Sequence, residues 1–319
     1  MRYRRLGSSG VKVSVIGLGS WLTYGGTVAE DAAVSCVHRA FDLGVNFFDT
    51  ANVYARGRAE EVLGRALAGL RRDDYVLASK VYFPVGEGPN DSGLSRKHVW
   101  EQVHRSLRRL GVDHLDLYQC HRFDADTPLA ETCRVMDDLV RQGKIIYWGT
   151  SEWSAPQLRD AVALCRAEHW VAPVSNQPQY SALQRRIERD VLPVSVELGI
   201  GNVVWSPLAQ GVLTGKYRTP DDVPVGTRAA GRGRQFMTSW LTADTLAAVE
   251  GARRVADGAG CTLAQLALAW CLRRPEVASA IVGATRTDQI DDNVVAADLD
   301  PDPDALERFG AVLHPVGAS

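Results

Sequence analysis

The sequence lacks the features that would place it in a membrane or in a disulfide-bonded scaffold. It has no run of about 18 apolar residues, and Lys12 and several glycines interrupt the apolar stretch near its start, which leaves no signal-peptide core. The six cysteines are scattered without a C-x-x-C pair, and most fall within apolar helix-like or strand-like patterns. We therefore expect reduced core thiols and a cytoplasmic protein without membrane insertion.

A strong excess of charge of one sign is also absent. The net charge is -2, and the short arginine clusters are interrupted by apolar residues, so the chain has no general attraction to nucleic acid or to an anionic membrane surface. Hydrophobic residues make up 45% and charged residues 23% of the chain, which suits a single globular domain over residues 1–319. The expected partner is a small, uncharged or mildly anionic molecule.

Apolar runs rich in Val, Ile and aromatic residues alternate with segments of helical spacing. Seven runs predict strands, and an eighth is plausible near the end; they lie at residues 13–19, 46–50, 75–80, 115–120, 144–150, 171–177, 202–207 and 278–282. Four intervening helical segments lie at residues 31–43, 59–70, 95–110 and 128–142, and three of them end directly before a glycine. About eight β-α units in a chain of this length predict a (β/α)₈ TIM barrel.

The predicted helix starts carry capping signals. Ser154 with Gln157 and Thr262 with Gln265 have capping-box spacing, so their side chains can satisfy free backbone N–H groups. Pro128, preceded by Thr127, is expected at the first position of its helix.

A doubly wound sheet is the competing architecture. The stretch GLGSWL at residues 17–22 begins like a dinucleotide-binding fingerprint after a strand. However, Leu22 occupies the place of the third glycine, and no acidic residue ends a second strand at the expected distance. In a barrel, Gly17 and Gly19 would instead mark a tight exit of the strand at the barrel mouth.

Polar side chains stand at the carboxyl ends of successive predicted strands. These residues are Asp49, Lys80, His121, Ser151, Gln177, Trp205 and Ser206. In a TIM barrel these strand ends meet on one face, and the active site is built there. The sequence therefore predicts one polar pocket assembled from distant parts of the chain.

Four of the residues expected at this face could reduce a carbonyl group with a nicotinamide cofactor. Tyr54 could donate the proton, because a nearby Lys80 ammonium would lower the pKa of its phenol. Asp49 could hold Lys80 charged, and His121 could hydrogen-bond the substrate oxygen. Each residue also has an ordinary interpretation, as a turn cap, a packed aromatic, a snorkelling lysine or a loop histidine. Their coincidence at the ends of three successive strands favours chemistry.

Three stretches resemble the catalytic signature of the aldo-keto reductase superfamily: FFDTANVYARGRAEEVLGRAL, LASKV and DLYQCHRFD. The resemblance maps the family's tetrad onto Asp49, Tyr54, Lys80 and His121. Within the superfamily, YWGTSEWS and WSPLAQGVLTGKY most resemble the branch of voltage-gated potassium channel β-subunits and their bacterial relatives. The resemblance runs from about Tyr3 to Ala297 and implies a barrel with an N-terminal β-hairpin.

The same resemblance implies an NADPH site. Ser151 and Gln177 would hydrogen-bond the nicotinamide carboxamide, and Trp205 would stack on the ring. Around the pyrophosphate would lie Ser206, Leu208, Gly211, Lys216 and Arg228. The adenosine phosphate loop would comprise Gly283, Thr285, Arg286, Gln289, Asp292 and Asn293. Because Arg286 and a helix N-terminus favour a 2′-phosphate, NADPH is expected rather than NADH.

The substrate is expected among aromatic and glycine-rich loops. Four residues are candidates for the substrate pocket, namely Trp21, Tyr24, Tyr82 and Phe83, together with residues 84–94 and 218–240.

The sequence departs from its relatives at three points. Glu152 stands where many relatives have Asn and the channel subunits have Arg. His121 stands where the channel subunits have Asn, which favours an efficient enzyme. The chain also begins almost at the first hairpin, without the long extension of some channel subunits, so a channel partner is less expected.

We therefore predict an NADPH-dependent reductase of a small aldehyde or ketone. Two alternatives stay open: an NADP(H)-binding regulatory subunit of a membrane protein, and a biosynthetic reductase of keto-deoxysugars. Relatives form dimers, tetramers or octamers, so a homo-oligomer is also an open expectation.

Overall fold

The computed structural model describes residues 1–316 except 27, 222, 225 and 232. Two short strands, β1 (Tyr3–Arg5) and β2 (Lys12–Ser14), pair as an antiparallel hairpin at the start of the chain. Ser8, in the turn of the hairpin, donates its backbone N–H to the carbonyl of Gly199, just ahead of a barrel strand. Because this contact is at the beginning of that strand, the hairpin lies at the amino-terminal end of the barrel.

The next eight strands form a closed barrel of parallel neighbours. They are, in chain order, β3 (Ile16–Gly19), β4 (Phe47–Asp49), β5 (Val76–Val81), β6 (Leu115–Cys120), β7 (Ile145–Ser151), β8 (Ser175–Gln177), β9 (Gly201–Trp205) and β10 (Val277–Val282). Each strand pairs with the next one along the chain, and β10 pairs with β3 to close the ring. The predicted (β/α)₈ barrel is confirmed, and the doubly wound sheet is excluded.

Ten α-helices surround the barrel among the residues that the structure describes. They are α1 (Glu30–Asp42), α2 (Arg58–Leu67), α3 (Arg96–Leu110), α4 (Leu129–Arg141), α5 (Ala155–Ala167), α6 (Val191–Leu198), α7 (Ala243–Gly258), α8 (Leu263–Leu272), α9 (Thr287–Val295) and α10 (Pro303–Leu313). Both predicted capping boxes form, at the starts of α5 and α8. Helices α7 and α10 pack against each other outside the alternating β-α pattern.

The structure corrects two local predictions. The single strand expected over residues 13–19 is two strands. Lys12–Ser14 pairs with β1 to form the hairpin, and only Ile16–Gly19 enters the barrel. Pro128 is the N-cap residue and not the first residue of α4, and the Thr127 hydroxyl donates to Asp124 at 2.6 Å. In both places an element begins one or more residues later than the local pattern indicates.

Of the two glycines of β3, Gly17 lies within the strand, and Gly19 is its last residue and lines the cleft at the barrel mouth. A Cβ atom on Gly17 would stand 2.7 Å from a ring carbon of Phe47, and one on Gly19 would stand 2.6 Å from the Ile281 side chain. The absence of side chains at these positions therefore lets the residues of β4 and β10 fill the interior.

Two apolar layers hold the barrel together. The larger layer lies between strands and helices, and a smaller cluster fills the interior at the end covered by the hairpin. Leu6 and Val13 from the hairpin are fully buried in that cluster with Phe47, Leu117 and Val203. The amino-terminal end of the barrel is therefore packed with apolar side chains, and the polar side chains described below lie at the opposite end.

No single helix among the described residues has both the length and the apolar character needed to span a membrane. One bent pair of helices, α7 with α8, passes this test when the two are taken together.

Candidate active site

A large cleft opens at the carboxyl ends of the barrel strands. Its volume is about 1780 Å³, and it receives side chains from the loops after most of the strands. Asp49 is the last residue of β4, His121 directly follows β6, and Tyr54 begins a 3₁₀ turn (Tyr54–Gly57) after β4. The convergence of these strand ends brings together the residues that the sequence placed far apart.

Lys80 lies beneath the cleft and joins two of the predicted catalytic residues. Its ammonium donates to a carboxylate oxygen of Asp49, to the carbonyl of Thr50 at 2.9 Å and to the hydroxyl oxygen of Tyr54 at 3.3 Å. The Lys80 side chain is completely buried and that of Asp49 is 5% exposed. A buried cation of this kind is tolerated because it is paired and its remaining protons are hydrogen-bonded.

The carboxylate of Asp49 has further partners. Its second oxygen accepts hydrogen bonds from the side-chain amides of Gln177 at 2.9 Å and Gln119 at 3.4 Å. Gln119 is fully buried, and its role was not predicted from the sequence because it lies one residue inside its strand. The network fixes Asp49, and through it the ammonium that contacts Tyr54.

The pKa values of the central pair favour a charged lysine and a protonated tyrosine. Burial tends to lower the pKa of Lys80, but Asp49 and Tyr54 together outweigh burial and hold this pKa above its ordinary value. Burial raises the pKa of Tyr54, and the opposing effect of Lys80 is smaller. The expectation that Lys80 brings the phenol pKa below its ordinary value is therefore wrong. Tyr54 keeps its proton at neutral pH.

His121 is a neutral imidazole at the edge of the same group. Burial, followed by repulsion from Lys80 and Arg122, lowers its pKa well below the ordinary histidine value. Its ring stands edge-on to Tyr54, with the ring centres 5.7 Å apart. Its buried Nδ1 atom has no hydrogen-bond partner among the described residues. The lowered pKa keeps the imidazole neutral at physiological pH.

The turn that carries Tyr54 has a strained backbone. Ala55 and Arg56 adopt left-handed conformations, with φ of 48° and 56°, and Gly57 follows with φ of 90°. Non-glycine residues seldom adopt this region, and strain of this kind is found where the surrounding structure holds a functional residue in place. The turn directs Tyr54 back over the barrel toward Lys80.

All fourteen predicted cofactor residues line the cleft. They are Ser151, Gln177, Trp205, Ser206, Leu208, Gly211, Lys216, Arg228, Gly283, Thr285, Arg286, Gln289, Asp292 and Asn293. Of the four predicted substrate residues, Trp21, Tyr24 and Phe83 line it. Tyr82 does not, since its ring packs edge-on against Phe83. Residues 84–94 do not line it either, whereas several residues of 218–240 do; residues 222, 225 and 232 of that stretch lie outside the described chain.

Trp205 is held by the residue whose role the sequence left open. Its indole N–H donates to a carboxylate oxygen of Glu152 at 2.9 Å, and the same oxygen accepts the backbone N–H of Gln179 at 2.6 Å. The other oxygen accepts from Arg186 at 2.5 Å. Glu152 therefore fixes the edge of the indole from outside the cleft.

The opposite end of the cleft carries a group of cations. Desolvation, followed by repulsion from Arg228 and Arg286, lowers the pKa of Lys216. Neither Lys216 nor Arg228 forms an ion pair within the described part of the chain, whereas Arg286 pairs with Asp288 at 3.0 Å. A Cβ atom on Gly211 would stand 3.0 Å from the Lys216 ammonium, so only glycine leaves this space open. Cations without counter-charges around an open backbone fit a bound phosphate.

Comparison with known proteins agrees with this geometry. A model of the aldo/keto reductase family matches residues 15–313. The chain is 44% identical to a probable voltage-gated potassium channel subunit beta of Arabidopsis thaliana, over 98% of this chain and 97% of the relative. It is 43% identical to a protein of the same name from Oryza sativa subsp. japonica, with the same coverage. A putative voltage-gated potassium channel subunit beta of Schizosaccharomyces pombe is 40% identical, over 98% of this chain and 93% of the relative.

The family match spans all eight barrel strands and every residue of the group around Lys80. The similarity therefore covers the catalytic end and the cation-lined end of the cleft alike. By fold, by site and by sequence, the chain belongs to the aldo/keto reductase family of oxidoreductases.

Proposed function

We propose that the protein reduces the carbonyl group of an aldehyde or ketone with NADPH, and that Tyr54 is the general acid. One observation carries this proposal: the protonated Tyr54 hydroxyl contacts the Lys80 ammonium and stands beside a neutral His121 at the mouth of one cleft. When bound, the reduced nicotinamide supplies a hydride to the carbonyl carbon. The Tyr54 hydroxyl gives its proton to the carbonyl oxygen as the alcohol forms.

Lys80 and Asp49 set the acidity of that proton. The Lys80 ammonium stabilises the phenolate that is left after transfer, since it contacts the phenolic oxygen directly. Asp49 keeps the ammonium charged and oriented, and its amide partners keep Asp49 in place. A neutral His121 can donate a hydrogen bond to the carbonyl oxygen, which orients the substrate and stabilises the charge that develops there.

The cofactor residues divide along the cleft. Ser151 and Gln177 lie at the barrel mouth and would hold the nicotinamide carboxamide, against the indole of Trp205. Lys216 and Arg228 would take the pyrophosphate, because both are cations without an ion-pair partner among the described residues. Arg286 precedes α9 as its N-cap residue and would take the 2′-phosphate, which is why NADPH is preferred over NADH.

A cytoplasmic site of action is part of the proposal. All six cysteines are free, which agrees with a reducing compartment.

The Tyr54→Phe variant tests the proposed acid. It keeps the ring and removes the proton, so kcat is expected to fall roughly 10²- to 10⁴-fold while NADPH affinity persists. Single-turnover oxidation of bound NADPH by an aldehyde measures the chemical step, and fluorescence titration measures the affinity. Tyr3→Phe, on the exposed hairpin, makes the same atomic change away from the cleft and is the matched control. A Tyr54→Phe rate near that of the parent protein would remove Tyr54 from the mechanism.

A second candidate function rests on the relatives. Proteins with 40% to 44% identity over nearly the whole chain are named as potassium channel β-subunits. A regulatory NADP(H)-binding subunit of a membrane protein would bind NADPH tightly and turn over slowly. Steady-state turnover of simple aldehydes, ketones and keto-sugars with NADPH separates the two functions, because sustained turnover supports the reductase.

A further inference from the structure

One cation at the reaction end of the cleft takes no part in the mechanism above. Arg122 directly follows His121, is half-buried and lines the cleft. Its guanidinium lies over the ring of Phe83, 5.2 Å from the ring centre, and donates one N–H to the carbonyl of His121 at 2.5 Å. These two contacts hold the planar group in place at the mouth and leave most of its five N–H donors unused.

Arg122 has no acidic partner within the described part of the chain. Two other half-buried arginines do: Arg72 pairs with Asp116 at 2.7 Å and Arg109 pairs with Glu60 at 2.6 Å. A half-buried guanidinium loses part of its hydration, and proteins usually compensate with a carboxylate. At Arg122 this compensation is missing.

The surroundings of Arg122 are positive. Among the described residues that line this end of the cleft, Asp49 is the acidic one, and it is already bonded to Lys80 and Gln177. Arg56 and Arg58 line the same mouth, and neither forms an ion pair with a residue that the structure describes. The Phe83 ring that carries the Arg122 guanidinium also stands edge-on to His121, with the ring centres 4.8 Å apart, which places Arg122 near the reacting groups.

The phosphates of the cofactor do not account for this charge. Their cations, Lys216, Arg228 and Arg286, follow β9 and β10, whereas Arg122 follows β6. In the closed ring, β6 stands four strands from β10 in either direction, which is the opposite side of the barrel. An anion at Arg122 therefore belongs to a second molecule at the reaction end.

We propose that Arg122 is a specificity-determining residue, and that the substrate is a carbonyl compound that also carries a carboxylate. The planar guanidinium, steadied by Phe83, suits a planar carboxylate, which it can bind through two parallel hydrogen bonds. The carboxylate anchors the substrate while the carbonyl oxygen reaches Tyr54 and His121. This inference rests on the proposed carbonyl reductase function and names its substrate class.

A pair of aldehydes with nearly the same shape and different charge tests the proposal. 4-Carboxybenzaldehyde and 4-formylbenzamide have nearly the same shape, and only the first is an anion at neutral pH. We expect kcat/KM to favour the carboxylate about tenfold or more, because a charge-assisted hydrogen bond is stronger than a neutral one. The Arg122→Gln variant should lose this preference, because its kcat/KM for the carboxylate should fall roughly 10- to 100-fold while that for the carboxamide changes much less.

The ratio of the two substrates isolates the anion subsite from other effects of the variant. Loss of the Arg122 charge also alters the pKa of Tyr54, which changes the rate for both aldehydes alike. Arg122→Lys should keep part of the preference, since it retains a cation without the planar fork. Arg108→Gln removes the same charge from an exposed position of α3 outside the cleft and should leave the ratio unchanged.

A binding measurement separates failure of this inference from failure of the proposed function. Calorimetric titration of the NADP⁺-loaded protein with 4-(hydroxymethyl)benzoate and 4-(hydroxymethyl)benzamide needs no turnover. If the parent protein binds the benzoate more tightly than the benzamide and Arg122→Gln does not, the subsite is supported. If, in addition, neither aldehyde is reduced, only the proposed function fails. Equal binding of both ligands, or a preference that Arg122→Gln leaves intact, overturns the assignment of Arg122.

Discussion

The two ends of the cleft are built in different ways. At the reaction end, Asp49 and Lys80 lie on barrel strands, are almost completely buried and are paired with each other. At the phosphate end, Lys216 and Arg228 lie on connections after β9, and neither is paired within the described residues. The Asp49–Lys80 pair is thus complete before any ligand arrives, whereas the phosphate end is complementary to charge that a ligand must bring. Rigidly held side chains therefore lie where the proton is transferred, and unpaired cations lie where a polyanionic ligand would bind.

The largest effect that should distinguish the two ends is on stability. Lys80→Met leaves the Asp49 carboxylate buried without its counter-charge, which should lower the free energy of unfolding by about 3–5 kcal/mol. Lys216→Met removes a cation that lines the open cleft and has no ion-pair partner among the described residues, so stability should stay nearly unchanged. Urea denaturation measures both. The double variant Asp49→Asn/Lys80→Met should recover much of the loss, and a Lys80→Met variant as stable as the parent would contradict the buried pair.

A smaller effect concerns the protonation of the reaction end. His121→Asn should lower the single-turnover rate with an aldehyde roughly 10- to 100-fold, because a donor to the carbonyl oxygen is displaced. The imidazole is already neutral, so the rate of the parent protein should show no histidine ionisation between pH 6 and 9. A histidine ionisation in that range that vanishes in His121→Asn would contradict the lowered pKa.

The same residue makes a prediction about stability at low pH. The pKa of His121 is lower in the folded protein than the unfolded value of ~6.5, so the unfolded chain binds a proton first. Above pH ~6.5 this effect leaves the free energy of unfolding at its full value. As the pH falls below ~6.5, the free energy of unfolding decreases by up to about 1.4 kcal/mol per pH unit until the pKa of the folded protein is reached. Denaturation of the parent and of His121→Asn at several pH values measures this, and the variant should show the smaller dependence.

The smallest effect lies at the phosphate end. Arg286→Gln should weaken NADPH roughly tenfold and NADH much less, since only NADPH carries the 2′-phosphate that the exposed guanidinium would bind. The side chain is paired with Asp288, which competes for the same donors. Asp288→Asn should therefore tighten NADPH slightly. Fluorescence titration measures the affinity for each cofactor. If Arg286→Gln weakens the binding of NADPH and NADH equally, another group holds the 2′-phosphate.

The sequence was most informative where one pattern implied one structure. The alternation of apolar runs and helical segments predicted all eight strands, and the position of Asp49, Lys80 and His121 at strand ends predicted that they meet. Periodicity could not reveal the break between β2 and β3, because both strands share one apolar run and differ only in their partners. Nor could it show that Tyr82 turns away from the cleft while Phe83 faces it, since both directly follow the same strand.

Contacts between distant residues were hidden from the sequence for a different reason. Glu152 and Trp205 are 53 residues apart, and no local pattern indicates that a carboxylate holds the indole. The pKa of Tyr54 was predicted in the wrong direction because the opposing effects of burial and charge can be weighed only when the depth of the phenol is known. Arg122 was likewise unremarkable in sequence, because a missing partner becomes visible only in three dimensions.

The hairpin at the far end of the barrel has a consequence for how this protein can change over evolutionary time. Leu6 and Val13 seal the interior on the side away from the cleft, so that end contributes to folding and not to chemistry. Substitutions at that end change the free energy of unfolding of the whole chain. Substitutions on the loops at the mouth of the cleft change which substrates bind. The two properties can therefore drift independently, and a lineage could exchange one substrate for another without rebuilding its scaffold.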